Sequence, residues 1–154
     1  MSAKIYLGAD HAGFALKEKI KLFLAPGKHK VSDLGAERLR RDDDYPDFAA
    51  AVAKKVSAGR AMGILVCGSA QGVSIAANKF RGIRAVAAFS EKDARLSREH
   101  NDANVLCLSG WRLGALAAQK IVKTFLETRF SREPRHKRRV RKILAIEKQT
   151  MKRL

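Results

Sequence analysis

Cys67 is the residue of this chain best placed to do chemistry. It ends an apolar, β-rich run, Ile64-Leu65-Val66, and is followed by Gly68-Ser69-Ala70-Gln71-Gly72 and then a helix-like stretch. A strand, a tight loop and a helix N-terminus put a potential nucleophile or base at a strand's carboxyl end. Parallel α/β sheets bind their ligands at that end. The loop's backbone N–H groups, with a helix dipole behind them, suit an anion. A thiolate there can move a proton beside developing negative charge. The other reading is a buried cysteine acting as a small apolar residue, common at strand ends.

Other residues carry comparable pairs of readings. His100 ends a short helix and is followed by Asn101 and Asp102. Its imidazole titrates near neutral pH and suits proton transfer, or it caps the helix C-terminus, where its charge is favourable. Asp10 and His11 follow an apolar strand, and Asp10 also stands where a helix N-cap would. Ser69 can relay a proton or bond its own backbone. Tyr45, just before Pro46, either lines a pocket or packs. Arg135 and Arg139 lie four apart on one helix face, a spacing that makes a phosphate clamp. Lys137, Arg138, Arg141 and Lys142 surround them, so a solvated basic face fits as well.

The elements that must position these groups alternate. Lys4-Ala9 reads as a buried strand. His11 to Leu24 carries Phe14, Leu16, Ile20, Phe23 and Leu24 at helical spacing, and Pro26-Gly27 stops it. Lys30-Leu34 is a short strand, followed by a polar loop ending in three aspartates. Pro46 opens a helix running to Gly59. Met62-Cys67, Ile83-Phe89 and Ala103-Leu108 read as strands. Val73-Phe80, Glu91-His100 and Arg112-Thr128 read as helices, and Pro134 starts a last, basic helix. Five strands alternating with helices predict a three-layer, Rossmann-like α/β sandwich with a five-stranded parallel sheet. The last helix has no strand to follow and few apolar positions (Val140, Ile143, Leu144, Ile146). It is expected to pack across a partner subunit rather than fold back on its own domain.

At 154 residues and 46% hydrophobic, residues 1–154 form one globular domain, with 129–154 as its basic helix and tail. No apolar run approaches the roughly 18 residues of a membrane span, and no signal peptide is evident. Cys67 and Cys107 both follow apolar runs, and both read as reduced thiols of a cytoplasmic protein. Cys107 reads as core, and His29 is assigned no role. The net charge is +17, of which nine units lie between Arg129 and Leu154. Such a tail can meet phosphorylated metabolites, nucleic acid or an anionic surface. No His/Cys/Asp cluster has metal-ligand spacing. No GxGxxG follows the first strand, so no dinucleotide or other cofactor is expected.

From about Lys4 to Ile146 the chain resembles the type B ribose-5-phosphate isomerases, a family that includes isomerases of galactose 6-phosphate and allose 6-phosphate. The resemblance rests on Gly8-Ala9-Asp10-His11-Ala12-Gly13, Asp44-Tyr45-Pro46-Asp47, and Cys67-Gly68-Ser69 with Gly72-Val73-Ser74-Ile75-Ala76-Ala77-Asn78-Lys79. It continues through Gly82-Ile83-Arg84-Ala85, Glu99 to Leu106, and Arg135-His136 with Arg139. It implies that Cys67 is the base of an aldose–ketose isomerisation and His100 opens the sugar ring. Ser69 and the amides of residues 68–74, those of Gly68, Ala70, Gln71 and Gly72 among them, would hold the enediolate. Asp10 and Asn101 would meet sugar oxygens, Tyr45 would line the pocket, and His11 would lie near the phosphate. Arg135, Arg139 and the adjacent His136 would reach the phosphate in a neighbouring subunit's site, so a homodimer or tetramer is implied.

Four positions depart from the family pattern. Ser69 stands for the usual threonine. Ala70 and Gln71 replace a glycine-containing pair, and an alanine is expected to restrict the loop to φ below zero. Trp111 falls where relatives commonly have an arginine that contacts substrate, and Arg112 either substitutes or the contact is lost. The expected activity is interconversion of ribose 5-phosphate and ribulose 5-phosphate in the pentose phosphate pathway. The departures keep a six-carbon sugar phosphate open. A nucleic-acid-binding role for the tail is disfavoured because only Phe130 interrupts its charges.

Overall fold

The computed structural model describes residues 2–151. In chain order the elements are β1 (Lys4–Ala9), α1 (Phe14–Leu24), β2 (Lys30–Asp33), α2 (Tyr45–Ser57), β3 (Ala61–Cys67), α3 (Gln71–Ala77), β4 (Ala85–Ala87), α4 (Glu91–Asn101), β5 (Val105–Ser109), α5 (Ala115–Glu127) and α6 (Pro134–Thr150). All strand pairs are parallel, in the order β2-β1-β3-β5-β4. The expected five-stranded α/β sandwich is therefore present.

The sheet is covered on both faces, which is why its central strands read as unbroken apolar runs. Alternation along each strand divides the core in two. Ile5, Leu7, Ile64, Val66, Leu106 and Leu108 meet Leu16 and Ile20 of α1 and Ile121 and Phe125 of α5. Tyr6, Leu65, Cys67, Val105 and Cys107 meet Val52 and Val56 of α2 and Val73 of α3. Cys67 and Cys107 thus share a face. Cys107 is wholly buried core, and burial pushes its thiol up to about 12.

Several boundaries differ from expectation, each for a local reason. α1 starts at Phe14, not His11, because residues 10–13 form a turn in which the Gly13 N–H donates to Asp10 Oδ1 at 3.0 Å. α3 stops at Ala77. The Asn78 side chain then bonds both the N–H and the carbonyl of Ala85, each at 2.8 Å, and hands the chain to β4. As the edge strand, β4 keeps only three residues. α5 starts at Ala115 because residues 110–114 form the turn leaving β5. Lys17, unremarked in the helical pattern of α1, is fully buried and donates to the Ala36 carbonyl at 2.8 Å.

The expectation for α6 needs correction. It does fold back on its own chain: His136 and Val140 are buried, and the Gly82 N–H donates to Glu147 Oε1 at 2.8 Å. Those contacts occupy one stripe of the helix. Ile143, Leu144 and Ile146 remain exposed.

Candidate active site

β3 sits between β1 and β5, so their carboxyl ends converge on one edge of the sheet. Cys67, opposite Ser109 in the ladder, ends β3 and is almost wholly buried. The turn after β5 fastens the loop beyond it. The Cys67 carbonyl accepts from the Gly110 N–H at 2.8 Å. The Gly68 carbonyl accepts from Ser109 Oγ–H at 2.6 Å and from the Trp111 N–H at 3.1 Å.

Two aromatic rings lie directly on this loop. A Cβ added at Gly68 would fall 2.5 Å from the Trp111 indole, and one at Gly72 would fall 2.4 Å from the Tyr45 ring. Both positions therefore require glycine for close approach. Between them, Ala70 takes φ +70° as the N-cap of α3, overturning the expectation that alanine keeps the loop at negative φ. The left-handed conformation costs a non-glycine residue about 1–2 kcal/mol, and the fully buried methyl of Ala70 contributes to offsetting it. Ser69 Oγ accepts from the Gln71 N–H at 3.3 Å, the backbone role foreseen for a loop serine. Gln71 is exposed.

Asp10 and His11 leave β1 at the same edge. Burial raises the Asp10 carboxyl above its ordinary value, opposed mainly by its bond from Gly13. Asp10 is not the N-cap of α1, which is Gly13, but it closes the turn before it. His11 is held by a residue that nothing in the sequence singles out. Asp43 Oδ1 accepts from the His11 backbone N–H at 2.9 Å and lies 2.7 Å from its Nδ1. That bond raises the imidazole above its ordinary value. The three consecutive aspartates were the available signal, with nothing to say which would face His11.

His100 is elsewhere. α4 runs back from the carboxyl edge to the amino edge, and Val105, which follows it, pairs with Gly63. Cys67 lies four residues further along β3, about 13 Å at the rise of a strand. Arg84, just ahead of β4, fixes this end by donating to the carbonyls of Asn101 and Asp102 at 3.0 and 2.9 Å. His100 stands in the last turn of α4, whose C-cap is Asp102; its ring lies 4.2 Å from that of His136, centroid to centroid, at 34°. His136 is 2% exposed, and its Nδ1 lies 2.7 Å from Ser131 Oγ. Burial, then the charge of His100, lowers His136 below its ordinary value. Arg135 and Arg139 are exposed on α6 beside this pair, and Arg135 Nε donates to Glu133 at 2.9 Å.

One chain thus gathers Asp10, His11, Tyr45, Cys67, Gly68, Ser69, Ala70, Gln71 and Gly72 at one edge. It gathers His100, Asn101, Arg135, His136 and Arg139 at the α4–α6 surface. Arg112 stacks on Phe89, 4.3 Å from the ring centre, and so has a place of its own. Among the described residues, no group of three or more His, Cys, Asp or Glu could hold a metal ion. No described helix is long and apolar enough to cross a membrane.

Comparison with known proteins identifies the family. Residues 5–143 match the family model described as Ribose/Galactose Isomerase. The chain is 44% identical to the probable ribose-5-phosphate isomerase B of Mycoplasma genitalium, covering 97% of this chain and 99% of that one. It is also 44% identical to ribose-5-phosphate isomerase B of Escherichia coli, covering 94% and 96%. The crystal structure of the Mycoplasma genitalium enzyme with bound ribulose-5-phosphate superposes with a TM-score of 0.92, over 97% of this chain and 99% of that one.

Proposed function

Because this chain belongs to the ribose/galactose isomerase family, we propose that it is an isomerase interconverting ribose 5-phosphate and ribulose 5-phosphate in a site shared by two subunits. The observation that carries the substrate is the relative of the same fold and 44% identity solved with ribulose-5-phosphate. The observation that supports the shared site is the separation of Cys67 from His100 within one chain.

The reaction begins with a closed sugar. His100 of the partner subunit moves the proton that opens the furanose ring, for which imidazole is suited near neutral pH. The Cys67 thiolate then removes the proton on C2 of the aldose and returns it to C1. The electron pair passes through an enediolate while the O2 hydroxyl proton passes to O1, so the net change moves one proton from C2 to C1 and one from O2 to O1. Backbone N–H groups of residues 68–72 and the Ser69 hydroxyl stabilise the charge on the enediolate oxygens. Asp10 and the partner's Asn101 accept or donate to sugar hydroxyls, and Tyr45 closes one wall. His11, with Arg135 and Arg139 of the partner subunit, holds the phosphate. His136 acts one step back, stacked behind His100. In a homodimer with two such sites, the exposed Ile143, Leu144 and Ile146 are covered by the partner. Two free, buried thiols fit a reducing cytoplasm.

NMR of ribose 5-phosphate in D2O, with the protein and with Cys67→Ala, tests this reading. Ribulose 5-phosphate should form with the wild type and not with the variant. Conversion by both would keep the reaction and remove Cys67 as its base. A higher kcat/KM on a six-carbon phosphate would replace the substrate.

A further inference from the structure

We propose that Asp43 is a positioning residue for His11, holding the imidazole by Nδ1 so that Nε2 is presented to the substrate's phosphate. This rests on the reading above that His11 lies beside the phosphate. Asp43 Oδ1 receives both the backbone N–H and the ring Nδ1 of His11, so one oxygen fixes main chain and side chain together. Among the described residues, Asp43 makes no other side-chain hydrogen bond, and its Oδ2 is buried with no protein partner. Both side-chain hydrogen bonds of Asp43 therefore go to a single histidine.

The chemistry follows from the tautomer. An ionised carboxylate only accepts, so Nδ1 carries a hydrogen. In the neutral ring Nε2 is then a lone pair, which repels a phosphate oxygen; in the cation it is a donor. The Asp43 bond favours the cation, Asp10 in the same turn adds to it, and burial opposes it. Along the loop that carries Asp43, Arg40 is paired with Asp42 at 3.4 Å. The sign is therefore fixed. His11 stays cationic to higher pH with Asp43 than without it, and phosphate binding persists with it.

The test is KM and kcat from pH 6 to 9 for the wild type, Asp43→Asn, Asp43→Glu, His11→Asn and the double variant, with the His11 imidazole titration followed by NMR. Asp43→Asn should raise KM about five- to tenfold at pH 8, change kcat less than twofold and leave KM near wild type at pH 6. Its His11 inflection should move to lower pH. Asp43→Glu, keeping the charge, should restore most of the profile, and Asp43→Asn should add nothing once His11 is asparagine. A KM increase equal at all pH values, an unmoved inflection, or a full effect in the His11→Asn background would overturn the proposal. Loss of activity toward ribose 5-phosphate in the wild type would instead remove the functional reading, which the NMR titration does not depend on.

Discussion

At the carboxyl edge of the sheet the candidate groups hang from strand ends and tight loops; at the amino edge they stand on the surface of two helices. Cys67, Asp10 and the Gly68 carbonyl are buried and bonded into the framework. Arg135, Arg139 and Asn101 are exposed, and α6 is attached to its chain by a few side chains. The two histidines nearest each cluster also shift in opposite directions: His11 is raised by a carboxylate, and His136 is lowered by burial. The difference teaches a division of labour. Under the proposed function, the strand-end edge would supply the geometry that proton abstraction needs, and the helical surface would supply charge to a phosphate in a partner's site.

The sharpest way to break this comparison is to disable the two regions in separate chains. Cys67→Ala and His100→Asn homodimers should each lose roughly 1,000-fold or more in kcat. Mixing the two and allowing subunits to exchange should return about a quarter of wild-type activity, since half the dimers are hybrids with one intact site. No recovery on mixing would place both residues in one chain's site. Next in size, Arg135→Ala with Arg139→Ala should raise KM about 10- to 100-fold with a much smaller change in kcat. Equal losses in both constants would assign these arginines to the chemical step.

A pH experiment separates the regions further. His136 is depressed in the folded chain, so its contribution to stability is present above the ordinary histidine range and lost as pH falls through that range. Protection factors of the α6 amides, taken relative to the unstructured rate at each pH, should fall as pH drops from 7.5 to 5.5, and those of the sheet amides should change less. His136→Phe should remove that dependence. Smallest of all, Ala70→Gly should raise stability by about 1 kcal/mol, or 2–4 °C in Tm, by relieving the left-handed alanine. Thermal unfolding that shows a decrease would mean the buried Ala70 methyl outweighs its backbone strain.

The carboxyl edge was legible in the sequence because strand ends announce themselves. An apolar run, a cysteine and a small-residue loop put Cys67 in place, and the polar pair after β1 put Asp10 and His11 beside it. Asp43 was not legible, because which of three neighbouring aspartates meets a histidine is decided by how the loop before α2 folds. The φ of Ala70 departs from expectation: residue preference argues for negative φ, and the loop between β3 and α3, tied to the turn after β5, takes positive φ all the same. For His100 the sequence names a candidate residue but not its location. Its distance from Cys67 is a property of sheet topology, since α4 must return to the amino edge before β5 can run parallel to β3. The contacts of the last helix with its own chain are not legible because its apolar residues are few. A stacked histidine, a buried valine and one glutamate are enough to dock it.

The contact between Trp111 and Gly68 has an optical consequence. Trp111 is the chain's one tryptophan, its indole lies against the residue next to Cys67, and 76% of its surface is open in the single chain. Its emission in the folded monomer should therefore resemble that of the unfolded chain, making intrinsic fluorescence a poor thermometer of folding. The same placement makes it a sensitive indicator of what settles on the loop. The protein carries a built-in fluorophore against the residue next to its candidate base, and a titration with sugar phosphate can be read without any label.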